Sequence, residues 1–172
     1  DDLTIDVTIL PGAQLRGRSE AHIARSKYIV FPDGSLHGDR GRTIEVRTRP
    51  GRIRTLSRES MADLWLLLGQ SGFSELRETG FGGNPELLAP APTEVLTVLT
   101  VHARGATGTF IRRTPAETPD PAVTRVVRSI ARLAWATDDP PLETTVQPVR
   151  YDLGPDPYAR FRGTSTAASP AR

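Results

Sequence analysis

The chain has 172 residues, of which 37% are apolar, 6% aromatic and none cysteine. That length accommodates one domain with a real core plus a tail, and the absence of cysteine excludes disulfides, thiolate metal sites and a cysteine nucleophile. The net charge is only +2, but residues 16 to 58 hold 11 basic and 4 acidic side chains, against 11 basic and 16 acidic elsewhere.

No apolar run approaches the roughly 18 residues of a membrane helix, and no signal peptide is visible. The chain begins Asp1-Asp2 rather than with methionine. The expectation is an exported protein, periplasmic or extracellular, whose leader has been removed. All but one of its cations are arginine, the exception being Lys27, a bias that a GC-rich genome would also produce.

Leu3, Ile5, Val7 and Ile9 alternate with polar residues and predict a half-buried strand ending at Pro11-Gly12. Residues 13 to 25 are polar and read as loop. "SKYIVF" predicts a strand, Pro32-Asp33-Gly34 a tight turn, and "SLHG" a segment that pairs back. "RTIEVRT" (42 to 48) and "RIRTL" (52 to 56) flank Pro50-Gly51, which predicts a hairpin between them. A helix follows, capped by Ser57, with Met61, Leu64, Leu67 and Leu68 at helical spacing and Gly69 or Gly72 as its stop. Phe73 and Leu76 are expected to fold back onto the core.

Residues 95 to 102 are rich in β-branched side chains, and Gly105 to Gly108 turn them into "TFIRR", a second hairpin. Asp120 then caps a second helix with Pro121 at its first position. Val123, Val126, Val127, Ile130, Leu133 and Ala134 make its apolar stripe, with Arg125, Arg128 and Arg132 opposite. From Asp138 the periodicity stops, and residues 138 to 172 predict an extended, Pro-rich arm.

Several local patterns invite a chemical reading. "ETGFGGNPELLAPAP" (78 to 92) is glycine-rich but lacks the G-x-G-x-x-G frame before a helix and has no lysine, so a connector or partner-binding loop is expected rather than a phosphate cradle. "GQSGF" (69 to 73) misplaces its second glycine for a nucleophile elbow and reads as a helix end. His37 and Asp39, with Asp33 nearby, could share a metal, but two or three weak ligands in a turn read as ordinary polar turn residues. No Ser, His and Asp set suggests itself. No cofactor, metal or catalytic residue is therefore assigned, and the chain is expected not to be an enzyme.

The arginines around Pro50-Gly51 are the most informative cluster. In a two-residue hairpin Arg49 would oppose Arg52, and Arg47 would oppose Arg54, on one face. Like charges directly opposite destabilise a sheet, so the cluster reads either as a solvated face with screened repulsion or as a surface with an acidic counterpart. The acidic half of the chain, another protein, lipid headgroups or nucleic acid would serve, although stacking aromatics for nucleic acid are lacking on this face.

The order of elements in "LSRESMADLWLLLGQSGF", a long loop, "VLTVLTVHARGATGTFIRR" and "PDPAVTRVVRSIARLAW" resembles the layout of emfourin-like domains over residues 26 to 136. It is also similar to secreted and lipoprotein domains of bacteria. The resemblance implies a small α+β protein-binding domain, since emfourin-like proteins inhibit thermolysin-type metalloproteases. The extra first strand, the arginine hairpin and the long tail depart from that pattern, and no inhibitory residue carries over.

Together these readings predict an α+β domain over residues 1–137, with an antiparallel sheet of five to seven strands and two helices packed on one face. Residues 138–172 form the extended arm. The expected function is that of a non-catalytic, exported accessory subunit docking on a larger, membrane-associated protein assembly. Its partner-binding residues would be Arg47, Arg49, Arg52 and Arg54, with Tyr151, Leu153, Tyr158 and Phe161 of the arm. The alternatives are a protease inhibitor of emfourin-like type and, further off, a nucleic-acid-binding protein or an enzyme.

Overall fold

A computed structural model describes residues 2–76 and 88–136. The chain separates into two compact units, Asp1–Thr137 and Asp138–Arg172; all the described residues belong to the first. The arm of residues 138–172, with Tyr151, Leu153, Tyr158 and Phe161, lies outside them, as do residues 78–87 of the glycine-rich loop.

The first unit is α+β. Strands β1 (Thr4–Pro11), β2 (Ser26–Val30), β3 (Ser35–Arg40), β4 (Arg52–Thr55), β5 (Glu94–Ala103) and β6 (Ala106–Pro115) form one sheet in the order β4-β3-β2-β1-β5-β6. Every pairing is antiparallel. Helices α1 (Arg58–Gln70) and α2 (Pro121–Trp135) follow β4 and β6.

Strand alternation decides which face is the core. Ile5, Val7 and Ile9 of β1 join Tyr28, Val30, Leu36, Leu99 and Val101 from neighbouring strands in a cluster that α1 and α2 cover. Both helices therefore pack on one face. From α2 the stripe of Val123, Val126, Val127, Ile130 and Ala134 is buried there, each Val or Ile contributing about 1.5–3 kcal/mol. Leu64 and Leu68 of α1 join it, and so do Phe73 and Leu76 beyond the helix. Phe73 meets Phe110 edge to face at 5.0 Å.

The helix ends follow local chemistry. Ser57 accepts a hydrogen bond from Ser60 N at 3.1 Å. At the other end Gly72 takes φ +76°. There Gly72 N donates to Gly69 O and Phe73 N to Leu68 O, the paired bonds of a Schellman stop. "GQSGF" is thus a helix terminus. Asp120 caps α2 by accepting from Ala122 N at 2.8 Å and Val123 N at 3.2 Å, and Pro121 occupies the first turn.

The predicted hairpin between residues 42–48 and 52–56 does not form. β4 pairs with β3 instead, His37 opposing Arg52 and Leu36 opposing Arg54 across a register shift. The alternation of Thr43, Ile44, Glu45 and Val46 is used differently. Ile44 is buried, and Val46 packs on the sheet face away from the helices, over Leu10, Leu96 and Val98. The carbonyls of this segment are met by cations rather than by a strand ladder. Arg25 Nη1 donates to Ile44 O at 3.0 Å, and Lys27 Nζ donates to Val46 O. A turn then bends the segment, with Thr48 N donating to Glu45 O at 3.1 Å and Glu45 N to Thr48 Oγ1 at 2.8 Å.

The described end of the glycine-rich segment is tied to the sheet. Gly12 N donates to Glu94 O at 2.8 Å and Gln14 N to Pro92 O at 3.0 Å. A Cβ on Gly12 would lie 2.0 Å from Ala91 O, so only glycine permits this approach. Leu88 packs over Leu10, Leu96 and Val98.

Candidate functional site

The four arginines chosen from the sequence do not make two cross-strand pairs. Arg47 lies in the segment between β3 and β4, exposed and paired with Glu45 at 2.9 Å. Arg49, in the same segment, is exposed and has no partner among the described residues. Arg52 is exposed at the start of β4 and donates to Thr55 Oγ1. Arg54 is half-buried and donates to Ala136 O at the C-terminus of α2. There its charge also suits the negative end of the helix dipole. Arg54 therefore has a structural contact, while Arg47, Arg49 and Arg52 present guanidinium groups to solvent. The proposed repulsion across a hairpin disappears with the hairpin itself.

The sequence reading missed the larger concentration of positive charge. A cleft of about 670 Å³ opens between the β1–β2 connection and the end of β3. Arg16, Arg18, Arg25, Arg40 and Arg42 line it, and no described acidic residue does. Two of these arginines are held in place. Arg40 Nε donates to Tyr28 Oη at 3.0 Å, and its guanidinium lies 5.0 Å above the Trp135 ring. The same Tyr28 oxygen accepts from Trp135 Nε1 at 3.1 Å, so strand β3, the core tyrosine and the end of α2 fix Arg40 together. Arg25 is anchored by its bond to Ile44 O at 3.0 Å.

The other three arginines, Arg16, Arg18 and Arg42, are exposed. Arg18 grips Glu20 through Nε and Nη2, with contacts of 2.6 to 3.1 Å. Its guanidinium holds the Glu20 carboxyl at a pKa of about 2, well below the ordinary value. Arg16 and Arg42 have no partner among the described residues. His22 holds its proton less tightly than usual, first through burial and then through the positive charge of Arg128, with Glu20 opposing and Arg18 adding to the effect. The charge window of residues 16 to 58 was the available signal. It located the basic region, while the fold turned the Arg40 guanidinium to the helix face of the sheet and that of Arg25 to the opposite face.

Lys27 stands apart from them. It is almost fully buried, with Nζ 3.0 Å from Asp6 Oδ2. Asp6 sits diagonally across the β1–β2 ladder on the face away from the helices. Burial raises the Asp6 pKa, against the opposing attraction of Lys27. The lone lysine is thus the pin that ties the Val46 carbonyl to the sheet.

The residues weighed as metal ligands have other partners. His37 donates through Nδ1 to Pro50 O at 3.0 Å and meets Phe31 edge to face. Asp33 accepts from Ser35 N at 2.8 Å and Ser35 Oγ at 2.6 Å, and Asp39 accepts from Arg40 N. Among the described residues no three His, Asp or Glu side chains converge to hold a metal. His102 lies on β5, bonded to Thr107 Oγ1 at 2.8 Å.

No protein-family model matches the sequence, and no curated protein is significantly similar to it. Among the described residues no helix is long and apolar enough to cross a membrane.

Proposed function

We propose that this chain is a non-catalytic, exported accessory subunit that docks on a larger protein assembly through acidic groups of its partner. One observation carries the reading: Arg42, Arg47, Arg49 and Arg52 crowd the 41–52 segment, exposed, with Glu45 as its one carboxylate. Arg47, Arg49 and Arg52 are the docking residues. Arg54 is removed from that set, because its guanidinium is engaged at the end of α2. Tyr151, Leu153, Tyr158 and Phe161 of the C-terminal arm supply the apolar part of the docking surface in this proposal. Arginine at a partner surface gains bidentate bonds to carboxylates, and such contacts speed encounter and weaken with salt.

The test is replacement of Arg47, Arg49 and Arg52 together by serine. The account expects partner affinity to fall at least tenfold with the melting temperature unchanged. An unaffected affinity would remove these residues from the interface.

Inhibition of a thermolysin-type metalloprotease is the second reading. It rests on the order of elements shared with emfourin-like domains. Adding the protein to a protease assay at stoichiometric concentration decides it, since an inhibitor of this kind abolishes cleavage and an accessory subunit leaves it unchanged.

A further inference from the structure

We propose that a groove on the sheet face away from the helices receives an acidic peptide segment of the partner, with an apolar side chain as its anchor. The inference rests on the docking reading and adds the chemistry of the partner. The groove, of about 390 Å³, opens between residues 44–47 and residues 88–90. That volume is near the lower end of the roughly 300–1,000 Å³ of ligand sites, which suits a short peptide anchor rather than a large cofactor.

The apolar part of the groove is built on shared neighbours. Val46 and Leu88 reach the same buried trio, Leu10, Leu96 and Val98, from two separate segments, and both stay only partly buried. Leu10, Val46 and Leu88 line the groove together with Ile44, Ala89 and Pro90. Apolar surface left open between two segments favours a partner side chain that covers it.

The cation of the groove is fixed on its wall. Arg25 Nη1 donates to Ile44 O at 3.0 Å, and both residues line the groove. A guanidinium carries five N–H donors, so Arg25 keeps donors for a carboxylate after this bond is made. Lys27 Nζ bonds Val46 O from the sheet. The 44–46 stretch is therefore held before a partner arrives, which lowers the ordering cost of binding. Arg47 lines the groove too, paired with Glu45 at 2.9 Å. Both side chains are exposed, and such a surface pair is weak enough to exchange for a partner's carboxylate.

Charge complementarity selects the occupant. Glu45 is the one carboxylate among the described lining residues, and Arg42 and Arg49 stand on the same segment without a partner among the described residues. A neutral apolar peptide would leave Arg25 unmatched. A wholly polar acidic peptide would leave Val46 and Leu88 uncovered. Carboxylates flanking one apolar side chain meet both requirements.

Amide NMR of the full chain, titrated with the blocked peptide acetyl-Asp-Glu-Leu-Glu-Asp-amide at about 0.15 M ionic strength, tests the groove. Saturable shifts at Ile44, Val46, Leu88 and Ala89 are expected. Serine in place of the leucine of the peptide, or glutamine in place of all its acids, should each weaken binding at least tenfold. Ala89 is exposed, so Ala89→Glu adds a carboxylate at the rim, and circular dichroism should show an unchanged fold. It should weaken the peptide at least tenfold. Non-saturable shifts, shifts confined to residues outside the groove, equal affinity of the serine peptide, or unchanged affinity in Ala89→Glu would each overturn the proposal. Affinity purification reads the docking separately. A natural chain that binds the peptide but captures no assembly would sink the docking reading, whereas capture that Ala89→Glu leaves unchanged would sink the groove and leave docking in place.

Discussion

Lys27 shows how one side chain can set the path of a whole segment. Its ammonium meets both the Asp6 carboxylate and the Val46 carbonyl from a position that is only 3% exposed. Lys27→Met would leave that carboxylate and carbonyl without their cation. The expected loss is about 2 kcal/mol in chemical denaturation, below the 3–5 kcal/mol of a fully buried pair because Asp6 keeps contact with water. The pH dependence has a definite sign. Folded Asp6 holds its proton more tightly than the unfolded chain does. Its contribution to stability is therefore complete below the ordinary value of 3.8 and is lost as pH rises through its raised folded pKa. A carboxyl titration followed by NMR should place Asp6 above 3.8, and higher still in Lys27→Met. Glu20 behaves in the opposite way. Its contribution is present above 4.5 and lost as pH falls through about 2, and a measured midpoint near 4.5 would mean that Arg18 does not hold it in solution. Little of this was legible in the sequence. Lys27 was noticeable as the only lysine, but its burial depends on residues 41–49 crossing the outer sheet face, a tertiary event that no local pattern encodes.

At the scale of elements, local signals were reliable wherever one residue type performs one backbone task. Asp120-Pro121 started α2, Ser57 started α1, and Gly72 stopped it. Asp120→Ala should cost about 1 kcal/mol, the ordinary value of a helix cap, read as a shift in the denaturation midpoint at constant slope. The strand expected over residues 42–48 failed for a specific reason. Its alternating pattern satisfies a strand and equally satisfies a segment laid across a sheet face. Arg25 and Lys27, which lie outside it in sequence, decide between the two by bonding the Ile44 and Val46 carbonyls. With β4 paired to β3, Arg54 reaches the end of α2. Arg54→Ser should therefore lower stability by about 1 kcal/mol, whereas serine at Arg47, Arg49 and Arg52 should leave it unchanged. Equal effects at all four positions would contradict the assigned contacts.

At the scale of the whole molecule, the basic window of the sequence falls on the β1–β2 connection, the end of β3 and the segment before β4. The connection from β1 to β2 and the end of β3 bring Arg16, Arg18, Arg25, Arg40 and Arg42 to one cleft. The sequence window announced a basic region, but the antiparallel register that sets Ser26 opposite Arg40 decides that the Arg40 guanidinium lies on the helix face with Tyr28. The core of the first unit is made from β1 to β6 and the two helices. Deleting residues 138 to 172 should therefore leave a cooperatively melting domain while weakening partner binding. Loss of cooperative melting would show the arm to be part of the folded core. The central claim is docking on a larger assembly, and gentle affinity purification from the source organism, with detergent-solubilised membranes included, tests it most directly. The natural chain and the Arg47→Ser/Arg49→Ser/Arg52→Ser variant should be compared side by side by mass spectrometry. The account predicts a stoichiometric complex with the natural chain that is lost with the variant. A natural chain that elutes alone as a monomer would contradict it.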